Sequence, residues 1–257
     1  MHISCPKLFD TEIHVNRKTK RALTRYLGGL VLYSGKKNCS AIAKSANIKH
    51  DAVYEFFECH VDEQVILQSF LNKLVYDLSR RRGIWYVNID ETMIDKMFSK
   101  IIEGVAYNWN STFNDTMKGY SIVAAVITNG KITIPITFKT WYSAKDFPDK
   151  HKTRIELAQA LMIEVNNMSP GIMFLMDGAF SSEGMLRFCR THKMKYCMRF
   201  HSNKKVFVNG QEAQLRKHDR IKISSSKKGR VVRGYYKGEP VFIVAFKRIG
   251  KSGKAKI

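Results

Sequence analysis

Two aspartates stand where a chain could use them for chemistry. Asp90 ends the apolar run IWYVNID (84–90), and Asp177 ends IMFLMD (172–177), directly before Gly178. Each run reads as a strand, and each strand belongs in the middle of a sheet. Carboxylates at the ends of adjacent strands can converge to metal-ligand distance. Hard oxygen donors of this kind suit Mg²⁺ or Mn²⁺. A metal held there could activate a water or a 3′-OH and stabilise the leaving oxygen of a phosphodiester. The same residues also suit a plainer role, because a strand-end Asp often caps a turn and Asp-Gly is a common turn dipeptide. Glu91, next to Asp90, should point to the opposite face of its strand. Asp95, Asp115, Asp146 and Glu183 are poorer ligand candidates, since none ends an expected core strand.

The elements that must position the pair form three zones. Residues 1–83 read as helical, with helices expected over 18–34, within 38–58, and over 63–83. Residues 84–200 alternate strand and helix in the order β-β-β-α-β-α-β. The strands are 84–90, 119–128, 131–138, 172–177 and 195–200, and the helices are 153–168 and 181–193. Asn129-Gly130 between two apolar runs marks a hairpin. This order predicts an α/β (α+β) fold: three antiparallel strands extended by parallel ones, as a mixed sheet covered by helices. Residues 201–257 read as a basic, β-rich insertion with strands at 230–236 and 241–246, ending in a loop-like KRIGKSGKAKI.

Charge narrows the function classes. The 257 residues carry 44 Lys and Arg against 22 Asp and Glu, net +22. Residues 83–186 carry 9 basic and 11 acidic side chains, whereas 187–257 carry 21 and 3. A slightly acidic middle between basic flanks suits a metal site beside phosphate-holding surfaces. Tyr235, Tyr236, Phe207, Phe242 and Phe246 are interleaved with the C-terminal cations. No apolar run reaches the ~20 residues of a membrane span. The N-terminus lacks an apolar signal core, so a cytoplasmic protein is expected. Five scattered cysteines without a CxxC suggest reduced thiols rather than disulfides or zinc.

Segment 38–58 has the spacing of a helix-turn-helix. Ser40 could cap its first helix, with Ile42, Ala43 and Ala46 inward, and Val53, Phe56 and Phe57 would pack back from the second. Lys49, His50 and Tyr54 would then face a DNA groove or its phosphates. A helical hairpin without a ligand has the same pattern.

Together, WYVNIDET, FLMDGAFSSEGMLRFCRTHKMKYCMRF and IAKSANIKHDAVYEFF resemble the DDE transposases of bacterial insertion sequences, over nearly the whole chain. The resemblance implies an RNase H-like core in which Asp90 and Asp177 are two of three metal ligands. It implies Mg²⁺ or Mn²⁺ as cofactor, double-stranded DNA (terminal repeats and target) as partner, and a homo-oligomer that brings two ends together. The implied activity is metal-dependent cleavage and strand transfer during DNA transposition. The family's third acid lies in Tyr-x-x-Arg-x-x-x-Glu after the β-rich insertion, and these 257 residues contain no such sequence. The expectation is therefore a chain truncated before that acid. The alternatives are an inactive fragment that binds element ends or inhibits a full-length enzyme, and an RNase H-like nuclease acting on RNA–DNA hybrids.

Overall fold

The computed structural model describes residues 17–32, 38–58, 83–99, 102–110, 114–131, 133–222, 229–246, 248–249 and 255–256. The helix expected over 63–83 lies almost entirely outside them. The chain divides into two compact units, 1–82 and 83–257.

In the first unit, α1 (Arg17–Leu32), α2 (Cys39–Ala46) and α3 (His50–Glu58) pack around Ile42, Ala43 and Val53. Asn38, not Ser40, caps α2: its side chain accepts from the Ala41 N–H at 2.8 Å, and Ser40 falls inside the helix. Asn47 adopts the left-handed conformation that ends α2, and Ile48 and Lys49 complete the turn into α3. Arg25 of α1 pairs with Glu55 of α3 at 3.6 Å.

The second unit is built on a six-stranded mixed sheet. Its strands are β1 (Tyr86–Asp95), β2 (Ala106–Asn110), β3 (Asp115–Thr128), β4 (Thr133–Trp141), β5 (Met173–Met176) and β6 (Lys195–Met198). The order runs β2-β3-β1-β5-β6, with β4 also paired to β3. β1, β5 and β6 are mutually parallel, while β3 is antiparallel to β1, β2 and β4. The expected strands are all present, with two differences. β1 does not stop at Asp90 but continues five residues to Asp95, paired with β3 throughout. The short β2 was not expected at all. Gly119 registers with both Asp95 and Ala106, and a Cβ there would lie 2.3 Å from the Ile94 carbonyl oxygen. Only glycine allows β1 and β3 to stay paired at that level.

Helix α4 (Arg154–Met168) opens on a capping box. The Thr153 side chain accepts from the Glu156 N–H, and Glu156 reaches back to the Thr153 N–H at 2.7 Å. Leu157, Ala158, Leu161, Met162 and Val165 form its buried face against β3 and β4. Helix α5 (Glu183–Thr191) is capped by Ser182 and buries Met185, Leu186 and Cys189. Burial pushes the Cys189 thiol up to about 12, so it stays protonated and packs as an apolar group.

A second sheet, β10-β9-β7-β8, follows: β7 (Lys205–Val208), β8 (Gln211–Gln214), β9 (Gly229–Tyr236) and β10 (Glu239–Phe246). Asn209-Gly210 and Lys237-Gly238 are two-residue turns with both φ values positive. The chain's end adds a two-residue ladder between β11 (Arg248–Ile249) and β12 (Ala255–Lys256). Val206, Val208, Ile221 and Tyr236 pack on Leu186 of α5. Glu239, with only 8% of its side chain exposed, pairs with Arg190 at 2.9 Å and Arg187 at 3.5 Å, tying β10 to α5. Replacing Glu239 with Ala should lower unfolding stability by about 1–2 kcal/mol, read as a lower urea midpoint. An unchanged midpoint would show that the pairing contributes nothing.

Candidate active site

Asp90 and Asp177 are brought together by strand register. β1 and β5 run parallel, and their pairing ends at Ile89↔Met176. The next residue on each strand is an aspartate. Ile89 and Met176 are buried on one face, so alternation turns both carboxylates to the other. Both aspartates are exposed. Asp90 accepts a bond from the Glu91 N–H at 2.8 Å. Asp177 begins the 3₁₀ turn Gly178–Phe180, but its side chain does not cap that turn. Turn capping, the plainer role for a strand-end Asp, is therefore not what occupies this carboxylate. Arg199 Nη1 lies 3.8 Å from Asp177 Oδ1, with 76% of the arginine and 53% of the aspartate side chain exposed. An exposed pair of this length contributes little stability.

Glu91 lies on the same face as buried Val87 and Ile89, but is itself exposed. It accepts from the Ser121 hydroxyl at 2.7 Å and forms an ion pair with Arg154, the first residue of α4. Arg154 also donates to Asn108 at 3.1 Å and lies 4.6 Å over the Trp141 ring. The side chain next to Asp90 is thus tied to β3 and α4, and through Arg154 to β2 and β4. The other candidate acids stay apart. Asp95 and Asp115 accept from backbone N–H groups beside them, Glu183 pairs with Arg187 along α5, and Asp146 sits in an exposed turn. Among the described residues, no cluster of three or more His, Cys, Asp or Glu could hold a metal.

His201, which its spacing in sequence marks only as a surface or core residue, lies against the residue after Asp177. A Cβ on Gly178 would lie 2.8 Å from His201 Nε2, so the imidazole rests on the residue after Asp177. A lone His without HxH or HxxxH spacing gives no signal of this in the sequence. His218, by contrast, is fully buried, with Nε2 against the Gln211 carbonyl at 3.2 Å.

The expected DNA-binding residues cluster at the start of α3. Lys49 precedes the helix, His50 opens it, and Tyr54 follows one turn later with its ring 4.6 Å from the His50 ring. All three are exposed. Charge on, and a hydrogen bond with, the Cys39 thiol of α2 hold the Tyr54 hydroxyl above its ordinary pKa. On the second sheet, Phe207, Tyr235, Phe242 and Phe246 are exposed on one face. Arg233 lies 5.2 Å over the Phe242 ring. Tyr236 does not join them: it is buried, edge-on to Phe200 at 4.9 Å.

A family model described as DDE superfamily endonuclease matches residues 10–222. No curated protein matches the sequence. Among solved structures, the piggyBac transposase synaptic complex with hairpin DNA aligns with a TM-score of 0.44 and 13% identity, over 94% of this chain and 55% of that one. The Mos1 mariner paired-end complex with Mn aligns with a TM-score of 0.26 and 12% identity, over 66% and 56%. The Mos1 paired-end complex with the left transposon end aligns at 0.26 and 12%, over 73% and 61%. The chain spans less than two thirds of each of these chains.

Replacing Glu91 with Ala removes the acceptor of buried Ser121 and the partner of Arg154, and should lower stability by about 1–3 kcal/mol. Asp90→Asn should stay within about 0.5 kcal/mol of the parent, as exposed substitutions do. Equal urea midpoints for the two variants would show that Glu91 holds nothing in place.

Proposed function

The chain belongs to the DDE superfamily endonuclease family, and from that premise we propose that it is a transposase of an insertion sequence. In this reading it cleaves double-stranded DNA at the element's ends and transfers the strand to a target. The observation that supports the reading most is the β1–β5 register, whose last pair, Ile89↔Met176, directly precedes Asp90 and Asp177, both exposed. The order β4-β3-β1-β5-β6, with the last three strands parallel, supports an RNase H-like core for it.

The donor set fits a divalent ion of the Mg²⁺ or Mn²⁺ type, since both groups offer carboxylate oxygens. Asp90 and Asp177 would hold such an ion, which supplies Lewis-acid stabilisation to an attacking water or 3′-OH and to the leaving oxygen. The protein's own contribution is placement. The Asp90 carboxylate is oriented by the Glu91 N–H. Arg199 balances charge beside Asp177 and can meet a phosphate oxygen bidentately. Lys49 and His50 on the first unit, and Arg233 with its aromatic neighbours on the second sheet, would hold the DNA backbone. A homo-oligomer would bring two ends together.

A second reading is a DNA-binding chain without cleavage, which these basic surfaces serve equally well. Nicking assays on duplex DNA with Mg²⁺ or Mn²⁺ separate the two. Asp90→Asn and Asp177→Asn should each reduce nicking by about a hundredfold or more while leaving DNA affinity within about twofold, because an active-site carboxylate acts on the transition state rather than on binding. Wild-type binding without nicking at any metal concentration would favour the second reading. Lys49→Ala should weaken binding to all sequences alike and lower the slope of log K against log salt by about one, as loss of one phosphate contact does. An unchanged slope would remove Lys49 from the DNA interface.

A further inference from the structure

We propose that the imidazole of His201 is a phosphate-contacting group, placed to donate a hydrogen bond to a non-bridging oxygen of the phosphodiester beside Asp177. The proposal rests on the DNA-cleaving reading above and names a subsite within it.

The argument begins at the end of β6. The Arg199 N–H donates to the Met176 carbonyl at 3.0 Å, which carries the β5–β6 pairing up to the residue before Asp177. Phe200 then turns towards the second sheet and meets Tyr236 edge-on. In extended backbone successive side chains oppose one another, so Arg199 and His201 share the side away from that core. Both are exposed. Arg199 approaches the Asp177 carboxylate. The His201 ring comes to rest on Gly178, with Nε2, Cδ2 and Cε1 at 2.8, 3.1 and 3.2 Å from where a Cβ would be. The Lys204 N–H donates to the His201 carbonyl at 3.0 Å, turning the chain immediately afterwards and fixing that backbone.

Gly178 has no positive φ, so its conformation does not call for glycine. What calls for glycine is the ring above it. A Cβ at 178 would meet the imidazole at 2.8 Å and displace it. His201 does not join Asp90 and Asp177 in a metal-ligating cluster. An imidazole N–H beside a guanidinium is instead suited to an anionic oxygen.

The test is a double-mutant cycle read by DNA binding in the absence of metal. Wild type, His201→Ala, Gly178→Ala and the double variant are titrated against a short fluorescein-labelled duplex by anisotropy, with melting temperatures measured alongside. Each single variant should weaken binding about threefold or more, the scale of one net hydrogen bond, with the melting temperature unchanged. The double variant should bind no more weakly than the weaker single one, because both changes remove the same contact. His201→Gln, which keeps a donor, should recover part of the loss. Wild-type affinity in His201→Ala, or losses that add in the double variant, would overturn the subsite and leave the DNA-cleaving reading standing. Failure of the wild type itself to bind would overturn both.

Discussion

The parallel register between β1 and β5 is the constraint on which the candidate site depends. It is set by burial rather than by the aspartates. Val87 and Ile89 on β1 lie opposite Phe174 and Met176 on β5, and all four are buried. Because the side-chain period of a strand is two, a slip of either strand by one residue would turn its two apolar groups to the open face and drive its aspartate into the core. Neither change is tolerable, since an unpaired buried carboxylate costs several kcal/mol. The hydrophobic pattern therefore fixes the carboxylate pair more firmly than any contact the carboxylates make themselves.

A second consequence of that alternation is the division of labour between Asp90 and Glu91. Adjacent in sequence, they face opposite ways. Asp90 is left open, and Glu91 is fastened to Ser121 and to the first residue of α4. The capping box at Thr153 and Glu156 fixes where α4 begins, and thus where Arg154 stands. Thr153 holds Glu156 below the usual carboxylate range through these hydrogen bonds, so this anchor is present at neutral pH and weakens only as acid protonates the group. Glu91 also supplies the N–H that orients Asp90. A carboxylate on the face of Val87 and Ile89 thereby steadies the backbone from which the open one projects.

Most of the second unit was legible because its elements are marked by local chemistry. The apolar runs and the Asn129-Gly130 hairpin each have a short-range cause. The differences fall where that cause is missing. The continuation of β1 through Glu91–Asp95 has no apolar alternation to betray it. Apart from half-buried Met93 its residues are exposed, and it persists through backbone pairing with β3. The short β2 exists because Gly119 lets two neighbours meet β3 at one level, a long-range circumstance invisible in AYNWN itself. Ser40 is a plausible cap by type, yet Asn38 lies two residues earlier and takes the role. The places of Asp90 and Asp177 after their strands' apolar runs were readable, whereas the contact of His201 with Gly178 was not, because nothing near His201 in sequence marks its neighbour.

Gly178 shows how one dipeptide can carry two explanations. Asp177-Gly178 reads as turn chemistry, and a turn does follow. But the glycine has no left-handed φ, and the aspartate does not cap, so turn propensity accounts for neither residue. Steric room for His201 accounts for the glycine, and the parallel register accounts for where the aspartate stands. The same spot is where the acidic and basic zones of the chain meet. Of the three acids after residue 186, Glu239 is neutralised by Arg187 and Arg190, and Asp219 by Lys222. The Arg199 guanidinium delivered by the end of β6 reaches Asp177 with little competition from acids of its own zone. A net charge that says nothing about fold is in this way converted, by one strand and one missing side chain, into a local arrangement of carboxylate, guanidinium and imidazole.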